Sequence, residues 1–442
     1  MHENRITPAQ ARYRASSSLP GSSRVGASYV GTTATKFFKQ ATYSFADQAF
    51  VSLGTFLTNI FLARHLSATE YGLFVLLFAL AMTGQLLNYW LAAYPLGLRL
   101  AEAKPDASAR LSTSSIVFVC TLGVPLSAIV ALVLVELGRF DLILPGVIWF
   151  SLLQVQQATR RALHASLAHK KAIAGDAAAY MGQVFALVFI ANAGKMSLVN
   201  SLYGIAALMA LGALVQALQL KLFVNGLQPP HRWLFDNGVL GGWSLASGAL
   251  STFRGYGIFW IVAAFSGTAA VGSLQAALNV FFLLNPLYFS LANLIPQIAA
   301  RAMRAGDKAT AWRAVRPYIL MILPPIIFYL AFVTTFSPLV LWLFYGSQSP
   351  YLTLGNLFPS LALFMGSSIL CELIICYFVG IGAIRAALQI NLIGFCIIAF
   401  AIVPFMSLVG VLEGACLALA LGDVIRLALA FRCLWKDVIA KG

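Results

Sequence analysis

The sequence predicts an all-α membrane protein with about twelve transmembrane helices. Two features of the composition support this prediction: 60% of the 442 residues are hydrophobic and only 10% are charged, whereas a soluble domain carries about 25% charged residues. Apolar runs with few charges, each long enough to cross a bilayer, recur from about residue 42 to about residue 434. Most of the chain is therefore expected to lie in lipid.

The apolar runs place the individual spans. The predicted spans are 42–63, 71–93, 113–135, 142–163, 171–193, 198–222, 239–264, 271–298, 315–337, 352–380, 384–406 and 410–433.

The positions of the basic residues predict the orientation. With the N-terminus in the cytoplasm, nearly all of the 29 Lys and Arg residues fall in cytoplasmic segments, with Arg160 and Arg161 counted among them. The exceptions are three residues on the opposite side and one inside a span: Arg64, Arg139, Lys195 and Arg254. This asymmetry predicts an even number of spans in the inner (plasma) membrane, with both termini cytoplasmic. It also explains the net charge of +15 by attraction to the anionic inner leaflet, so no nucleic-acid partner is needed.

An internal repeat predicts two halves. A shift of 200 residues aligns the first span with the seventh without a gap, and it matches Ser44, Ala46, Ala49, Ala63 and Gly72 with Ser244, Ala246, Ala249, Ala263 and Gly272. Both halves would begin in the cytoplasm, so the repeats are parallel and related by an axis along the membrane normal.

The chain is accordingly predicted to have four parts. They are a disordered cytoplasmic tail at 1–38, an N-terminal six-helix lobe at 39–224, a cytoplasmic linker at 225–238, and a C-terminal six-helix lobe with a short tail at 239–442. The linker prediction rests on Pro229 and Pro230 near the midpoint of the chain.

Ionisable residues inside spans are costly in a bilayer, so each is a candidate for function. Arg254 lies mid-span beside Gly255, which leaves room for a ligand to approach the backbone. We predict that Arg254 contacts an anionic ligand in a cavity between the halves, since its guanidinium can donate two parallel hydrogen bonds to phosphate. The alternative is a structural ion pair with a buried acid such as Asp47 or Glu372.

Asp47 in the first span and Glu372 in the tenth are candidates for binding a proton or cation during transport. The alternative is a polar link between helices or, for Asp47, a position at the membrane interface. Asp423 and Arg426 lie three residues apart on the last span, which favours an intrahelical ion pair over a ligand role. Asp176, near the start of the fifth span, is expected at the membrane interface.

No motif in the sequence indicates catalysis. A phosphate-binding glycine loop followed by Lys is absent from the sequence, and the His and Cys residues lack the spacing of metal ligands. We therefore predict a protein that is not an enzyme, without catalytic residues, metal site or cofactor.

The stretch from Asn59 to Gly72, NIFLARHLSATEYG, closes the first span and opens the second. It resembles the start of Wzx-type polysaccharide flippases of the multidrug/oligosaccharidyl-lipid/polysaccharide (MOP) exporter superfamily, in which a span ends in Arg, one residue and Leu before an aromatic–Gly pair. Here Arg64, Leu66, Tyr71 and Gly72 match, and Ser67 replaces the usual Gly. The resemblance extends to span number, length and loop sizes over the whole chain.

The resemblance implies two six-helix lobes around a central cavity, and a function. The substrate would be an oligosaccharide on a polyprenyl diphosphate, moved from the inner to the outer leaflet for O-antigen, exopolysaccharide or capsule synthesis. Membrane lipids and the polysaccharide polymerase machinery would be its partners. The family's cationic lumen implies substrate-binding roles for Arg254 and Arg64, the two residues that match.

Two alternatives remain open. A drug or cation antiporter of the same superfamily would need acids to dominate the cavity, and Arg254 argues against that. A membrane-embedded polysaccharide polymerase or ligase typically carries a large external loop, and the predicted external loops have at most about 15 residues.

Overall fold

The structure is a computed structural model that describes residues 47–103, 105–222 and 227–439, and every regular element in these ranges is a helix. The predicted tail at 1–38 lies outside the described residues. In chain order the helices are α1 (47–65), α2 (Ala68–Asn88), α3 (Tyr94–Glu102), α4 (Pro105–Glu136), α5 (Ile143–Ala165), α6 (His169–Asp176), α7 (Gly182–Asn192), α8 (Leu198–Leu220), α9 (Pro230–Phe282), α10 (Asn285–Ala305), α11 (Lys308–Thr335), α12 (Ser337–Tyr345), α13 (Phe358–Gly380), α14 (Ile384–Val409) and α15 (Val411–Leu434).

Several helices continue into one another through short irregular turns. The π-helical turns Tyr89–Ala93 and Ala177–Met181 join α2 to α3 and α6 to α7. Single-turn π-helices of this kind are frequent at functional sites. The 3-10 segments Phe140–Leu142 and Pro350–Leu357 precede α5 and α13.

Ten of the described helical stretches are long and apolar enough to cross a membrane, which confirms a multi-pass membrane protein. The count of twelve stays a prediction. The ten stretches differ from the twelve predicted spans at two places. One is α1, whose first described residue is 47, and the other is the region from α9 to α10, where the seventh and eighth spans were predicted.

That region is divided differently from the prediction. Helix α9 is interrupted at Gly267, whose backbone φ of 74° is one that residues other than glycine rarely adopt. The predicted eighth span, 271–298, is not continuous, because α9 ends at Phe282 and α10 begins at Asn285. Pro286 in the first turn of α10 explains this break, since proline cannot donate a backbone hydrogen bond to the preceding turn.

Helix α2 packs closely against the end of α9 through two glycines, Gly72 and Gly272. A Cβ on Gly72 would collide with the carbonyl oxygen of Thr268, and a Cβ on Gly272 would collide with that of Ala68. Each such Cβ would also lie 3.1 Å from the backbone nitrogen of the other glycine. This reciprocal glycine contact joins residues 200 apart, as expected where two equivalent segments meet across a two-fold axis. The division into two six-helix lobes remains a proposal.

Candidate functional site

A cavity of about 440 Å³ lies between α1 on one side and α9, α10 and α13 on the other. Its wall includes Arg254 and Glu372, two of the ionisable residues that the sequence indicated as candidates. Aromatic rings of Phe56, Phe259 and Tyr288 make up part of the remaining surface. A largely apolar pocket with a few convergent polar groups is the usual form of a ligand site.

Helix α1 presents a polar stripe to this cavity. Gln48, Ser52, Thr55 and Asn59 all line it, and their spacing of four, three and four residues places them on one helix face. This stripe was not predicted, although the spacing of its polar residues is visible in the sequence. Apolar residues between the polar ones allow the same helix to pack in a membrane.

Arg254 on α9 is held by two acids. Its Nη1 donates to both carboxylate oxygens of Asp423 on α15, at 2.8 and 2.9 Å, and its Nη2 donates to Glu372 Oε1 on α13 at 3.0 Å. The side chain is 10% exposed and lies beside Gly255, where a Cβ would meet no atom within 4 Å. The ion pair with Glu372, one of the alternatives from the sequence, is therefore present, and Arg254 still lines the cavity.

A second arginine completes the group. Arg426 Nη1 donates to Asp423 Oδ1, which is the predicted intrahelical pair, and Arg426 Nη2 donates to Glu372 Oε1 at 2.6 Å and to Asn391 on α14. Arg426 is fully buried. Its Cγ and Cδ fit against α14 only because residue 394 is glycine, since a Cβ there would collide with both atoms.

These four side chains, Arg254, Glu372, Asp423 and Arg426, form what we call the paired-arginine cluster. Two positive and two negative groups balance, which makes their burial tolerable, because an unpaired buried charge costs several kcal/mol. Exposure differs among the acids: Asp423 is fully buried, whereas the Glu372 side chain is 20% exposed and lines the cavity. Glu372 is thus the acid that a ligand or proton can reach.

A second ionic cluster surrounds Arg160 on α5. Arg160 Nη2 donates to Asp47 on α1 at 2.8 Å, and its Nε donates to Asp176 on α6 at 2.6 Å. The Nε2 of His164 lies 3.0 Å from the same Asp47 oxygen. Asp176, which was expected at the membrane interface, is fully buried in the protein. Arg160, which was counted as a cytoplasmic charge, is only 11% exposed.

Amides complete the shell around Asp176. Its Oδ1 accepts hydrogen bonds from Gln156 at 2.9 Å and from Gln216 of α8 at 2.8 Å. Ligand atoms of Asp47, His164 and Asp176 lie within 4.8 Å of one another, a spacing that a metal ion would accept. Because the Arg160 guanidinium contacts both carboxylates and lies where a metal ion would have to bind them, we assign these residues to an ion-pair cluster.

The two clusters are built from corresponding helices of the two predicted halves, with the positions of acid and arginine exchanged. The first draws on α1, α5, α6 and α8, and the second on α9, α13, α14 and α15, which are the first, fourth, fifth and sixth spans of each predicted half. In the first, the acid Asp47 is on the leading helix and Arg160 on the fourth. In the second, Arg254 is on the leading helix and Glu372 on the fourth. Asp47 therefore pairs within its own cluster rather than with Arg254.

Arg64 lies apart from both clusters and from the cavity-lining residues. It donates from Nε to the carbonyl oxygen of Phe344 and from Nη2 to that of Leu343 at 2.5 Å. These carbonyls belong to the last turn of α12, where no intrahelical donor is available. A cation near a helix C-terminus is also favoured by the helix dipole. The local geometry of Arg64 is thus that of a helix cap.

Hydrogen bonds close the end of the cavity nearest Arg64. The buried Tyr71 hydroxyl donates to Asn59 at 3.3 Å and accepts from Asn279 at 2.8 Å. Tyr345 continues the network by donating to the Ala276 carbonyl oxygen at 2.8 Å. Since Asn59 and Asn279 line the cavity, this network and the reciprocal glycine contact together join its two walls on the predicted external side.

The sequence matches no protein-family model, and a search of curated proteins finds no match. Solved structures do match. An inward closed conformation of the lipid II flippase MurJ superposes with a TM-score of 0.71 at 12% identity and covers 89% of this chain and 87% of that one.

Two other MOP structures superpose over 91% of this chain and 95% of their own. An inward-facing multidrug resistance MATE family transporter has a TM-score of 0.67 at 16% identity. A transporter from Pyrococcus furiosus, whose described binding pocket has reversed polarity, has a TM-score of 0.63 at 15% identity. The chain thus has the fold of these MOP-superfamily transporters, which confirms the predicted all-α membrane fold, while the two lobes and the count of twelve spans stay predictions.

Proposed function

We propose that this protein carries an oligosaccharide linked to a polyprenyl diphosphate from the inner to the outer leaflet of the inner membrane, for synthesis of a surface polysaccharide. The observation that supports the proposal best is Arg254 on the wall of the cavity between α1 and helices α9, α10 and α13. Its guanidinium suits a diphosphate or an acidic sugar, because charged hydrogen bonds to such anions are strong. The MOP fold supports a transporter, and the substrate is our inference.

Transport would follow alternating access, in which two lobes rock about a site near the membrane centre. The reciprocal glycine contact and the Tyr71 network would close the external side and would have to separate before release. Asp47 or Glu372 would exchange a proton or cation and so bias the two states. Arg64 would act through its cap on α12 near the same external contact, in addition to any contact with substrate.

Export tests this proposal directly. We expect cells without the protein to accumulate lipid-linked oligosaccharide on the cytoplasmic side, measured by its accessibility to impermeant reagents on each face. Wild type should relieve the accumulation, Arg254→Ala should not, and Arg254→Lys should restore part of it, because lysine keeps the charge without the planar fork. Protein levels in the membrane serve as the control. Full export by Arg254→Ala, or normal distribution without the protein, would exclude the proposal.

A change at Gly255 tests the cavity without touching a charge. We expect Gly255→Leu to fold, since a Cβ there meets no atom within 4 Å and leucine favours a helix. The added side chain would enter the cavity beside Arg254 and reduce export about tenfold or more, as expected if ligand binding weakens by about 1.4 kcal/mol. Gly123→Leu is the matched control, because Gly123 on α4 also has open space around it and is not among the cavity-lining residues. Equal export by both variants would remove this cavity from the substrate path.

A small-molecule or drug exporter is the second candidate. Glu372 on the cavity wall favours it, because a carboxylate attracts cationic drugs. Resistance to cationic dyes distinguishes the two candidates: expression should raise it for a drug exporter and leave it unchanged for a flippase of anionic lipids.

A further inference from the structure

Two arginines of the paired-arginine cluster converge on a single point. Arg254 and Arg426 each use Nη1 for Asp423 and direct Nη2 to the same oxygen, Glu372 Oε1, at 3.0 and 2.6 Å. The oxygen is therefore held between two guanidinium groups that come from different helices. Such a position suits an oxygen of any anion with the charge and size of a carboxylate or phosphoryl group.

The members of the cluster differ in how firmly they are held. Asp423 is fully buried and contacts both arginines, so it fixes their positions whether or not Glu372 is present. Glu372 is partly exposed to the cavity. Arg426 also has a buried Nε without a hydrogen-bond partner among the described residues. The arginines thus have unused donor capacity, and their most accessible partner is Glu372.

We infer that Glu372 occupies an anion-binding site formed by Arg254 and Arg426, and that the transported anion must displace its carboxylate to bind. This inference rests on the proposed function and names the chemistry of its site: a diphosphate group or a carboxylated sugar. The displaced carboxylate takes up a proton from the cavity, so that no uncompensated negative charge is left beside the bound anion. Substrate and Glu372 then alternate at one site, and this alternation couples anion binding to protonation.

The surroundings of Glu372 are suited to this exchange. The groups that face it are Arg254 from α9, Tyr288 from α10, Asp423 and Arg426 from α15, and Cys371 and Cys376 from its own helix. Only the two arginines carry a positive charge, so a neutral Glu372 would leave one net positive charge for the incoming anion. Tyr288 also lines the cavity and can donate a hydrogen bond.

Binding of inorganic diphosphate to the purified full-length protein in lipid nanodiscs tests the inference. The tethered Glu372 carboxylate competes for the site at an effective concentration in the millimolar range. The apparent affinity for diphosphate then falls in proportion to the fraction of the protein whose site is free. We expect Glu372→Gln to bind diphosphate about tenfold or more tightly than wild type at neutral pH. Wild-type binding should strengthen more steeply on acidification than that of Glu372→Gln, and this comparison corrects for titration of diphosphate itself.

Two further variants make the result decisive. Glu413→Gln removes a carboxylate at the far end of α15, where Glu413 accepts a hydrogen bond from Asn356, and it should bind like wild type. Glu372→Asp keeps the charge on a side chain one methylene shorter, so it should also bind more tightly than wild type even if the glutamine variant fails to fold. Equal or weaker binding by both Glu372 variants, as expected of a purely structural ion pair, would overturn the inference.

Parallel titrations with glucuronate distinguish the two sources of the anion. Tighter binding of diphosphate alone to the Glu372 variants indicates the lipid-linked diphosphate, and tighter binding of glucuronate alone indicates an acidic sugar. Absence of binding for both anions in every variant would overturn the inference. The cellular export assay is independent: it can fail while the competition at Glu372 holds, and the competition can fail while export is normal.

Discussion

Asp423→Ala is expected to destabilise the protein more than any other single substitution in the paired-arginine cluster. Asp423 is fully buried and accepts hydrogen bonds from both arginines. Its removal leaves Arg254 and Arg426 with one acid between them, and breaking a buried ion pair by deleting one partner costs about 3–5 kcal/mol. We expect a large fall in the thermal unfolding midpoint of the purified protein, together with low protein levels in the membrane.

Asp141→Ala is the matched control for this prediction. Asp141 also pairs with an arginine, Arg139, at 2.7 Å, but the Asp141 side chain is exposed, at 51%, and that of Arg139 is partly exposed, at 27%. An exposed ion pair contributes about 0–1 kcal/mol, so its loss should barely change the unfolding midpoint. Similar midpoints for the two variants would show that the paired-arginine cluster is not needed for stability.

Gly72→Val is expected to prevent closure of the predicted external side. The new Cβ would collide with the backbone carbonyl oxygen of Thr268, which cannot move aside as a side chain can. Overpacking costs about 1–3 kcal/mol in ordinary cores, and about 3 kcal/mol shifts a two-state equilibrium about 100-fold. Export should be lost, and the cavity should become more accessible from outside.

Thiol labelling measures that accessibility. In a background without the six native cysteines, Ser52→Cys places a thiol on the cavity wall. An impermeant maleimide added to intact cells should label it faster when Gly72 is valine, and Gly72→Ala should act in the same direction if valine prevents folding. Gly123→Val is the control, since Gly123 has open space around it. Unchanged labelling and normal export with both Gly72 variants would contradict a role for the glycine contact in closure.

The sequence predicted the fold class and part of the site, and the reasons for success and failure are physical. Arg254 and Glu372 were found because a charge in an apolar span is conspicuous, and both line the cavity. The ion pairs of Arg160 were not predicted, because a pair of arginines near the end of a span resembles a loop. Its true partners, Asp47 and Asp176, come from helices separated from it in sequence.

The remaining differences between the predicted and the observed site arise from contacts between helices. Asp423 and Arg426 were correctly predicted to pair along one helix, but the convergence of Arg254 and Glu372 on that pair depends on how α9, α13 and α15 pack. Gly72 and Gly272 were matched as repeat positions without any indication that they touch. Residues on different helices can be brought together only by three-dimensional packing, which residue spacing does not report.

The balance of charge in the paired-arginine cluster has a consequence for the energetics of transport. Two arginines and two acids sum to zero, so an empty carrier that reorients would move little charge through the membrane field at this site. A loaded carrier would move the charge of its anion together with the proton that Glu372 has taken up, so a doubly charged diphosphate would move about one net negative charge, and an elementary charge crossing 100 mV changes the free energy by about 2.3 kcal/mol. With the predicted orientation, an interior-negative voltage would drive the anion outward and leave the return step nearly unaffected. The membrane potential would then power export in one direction.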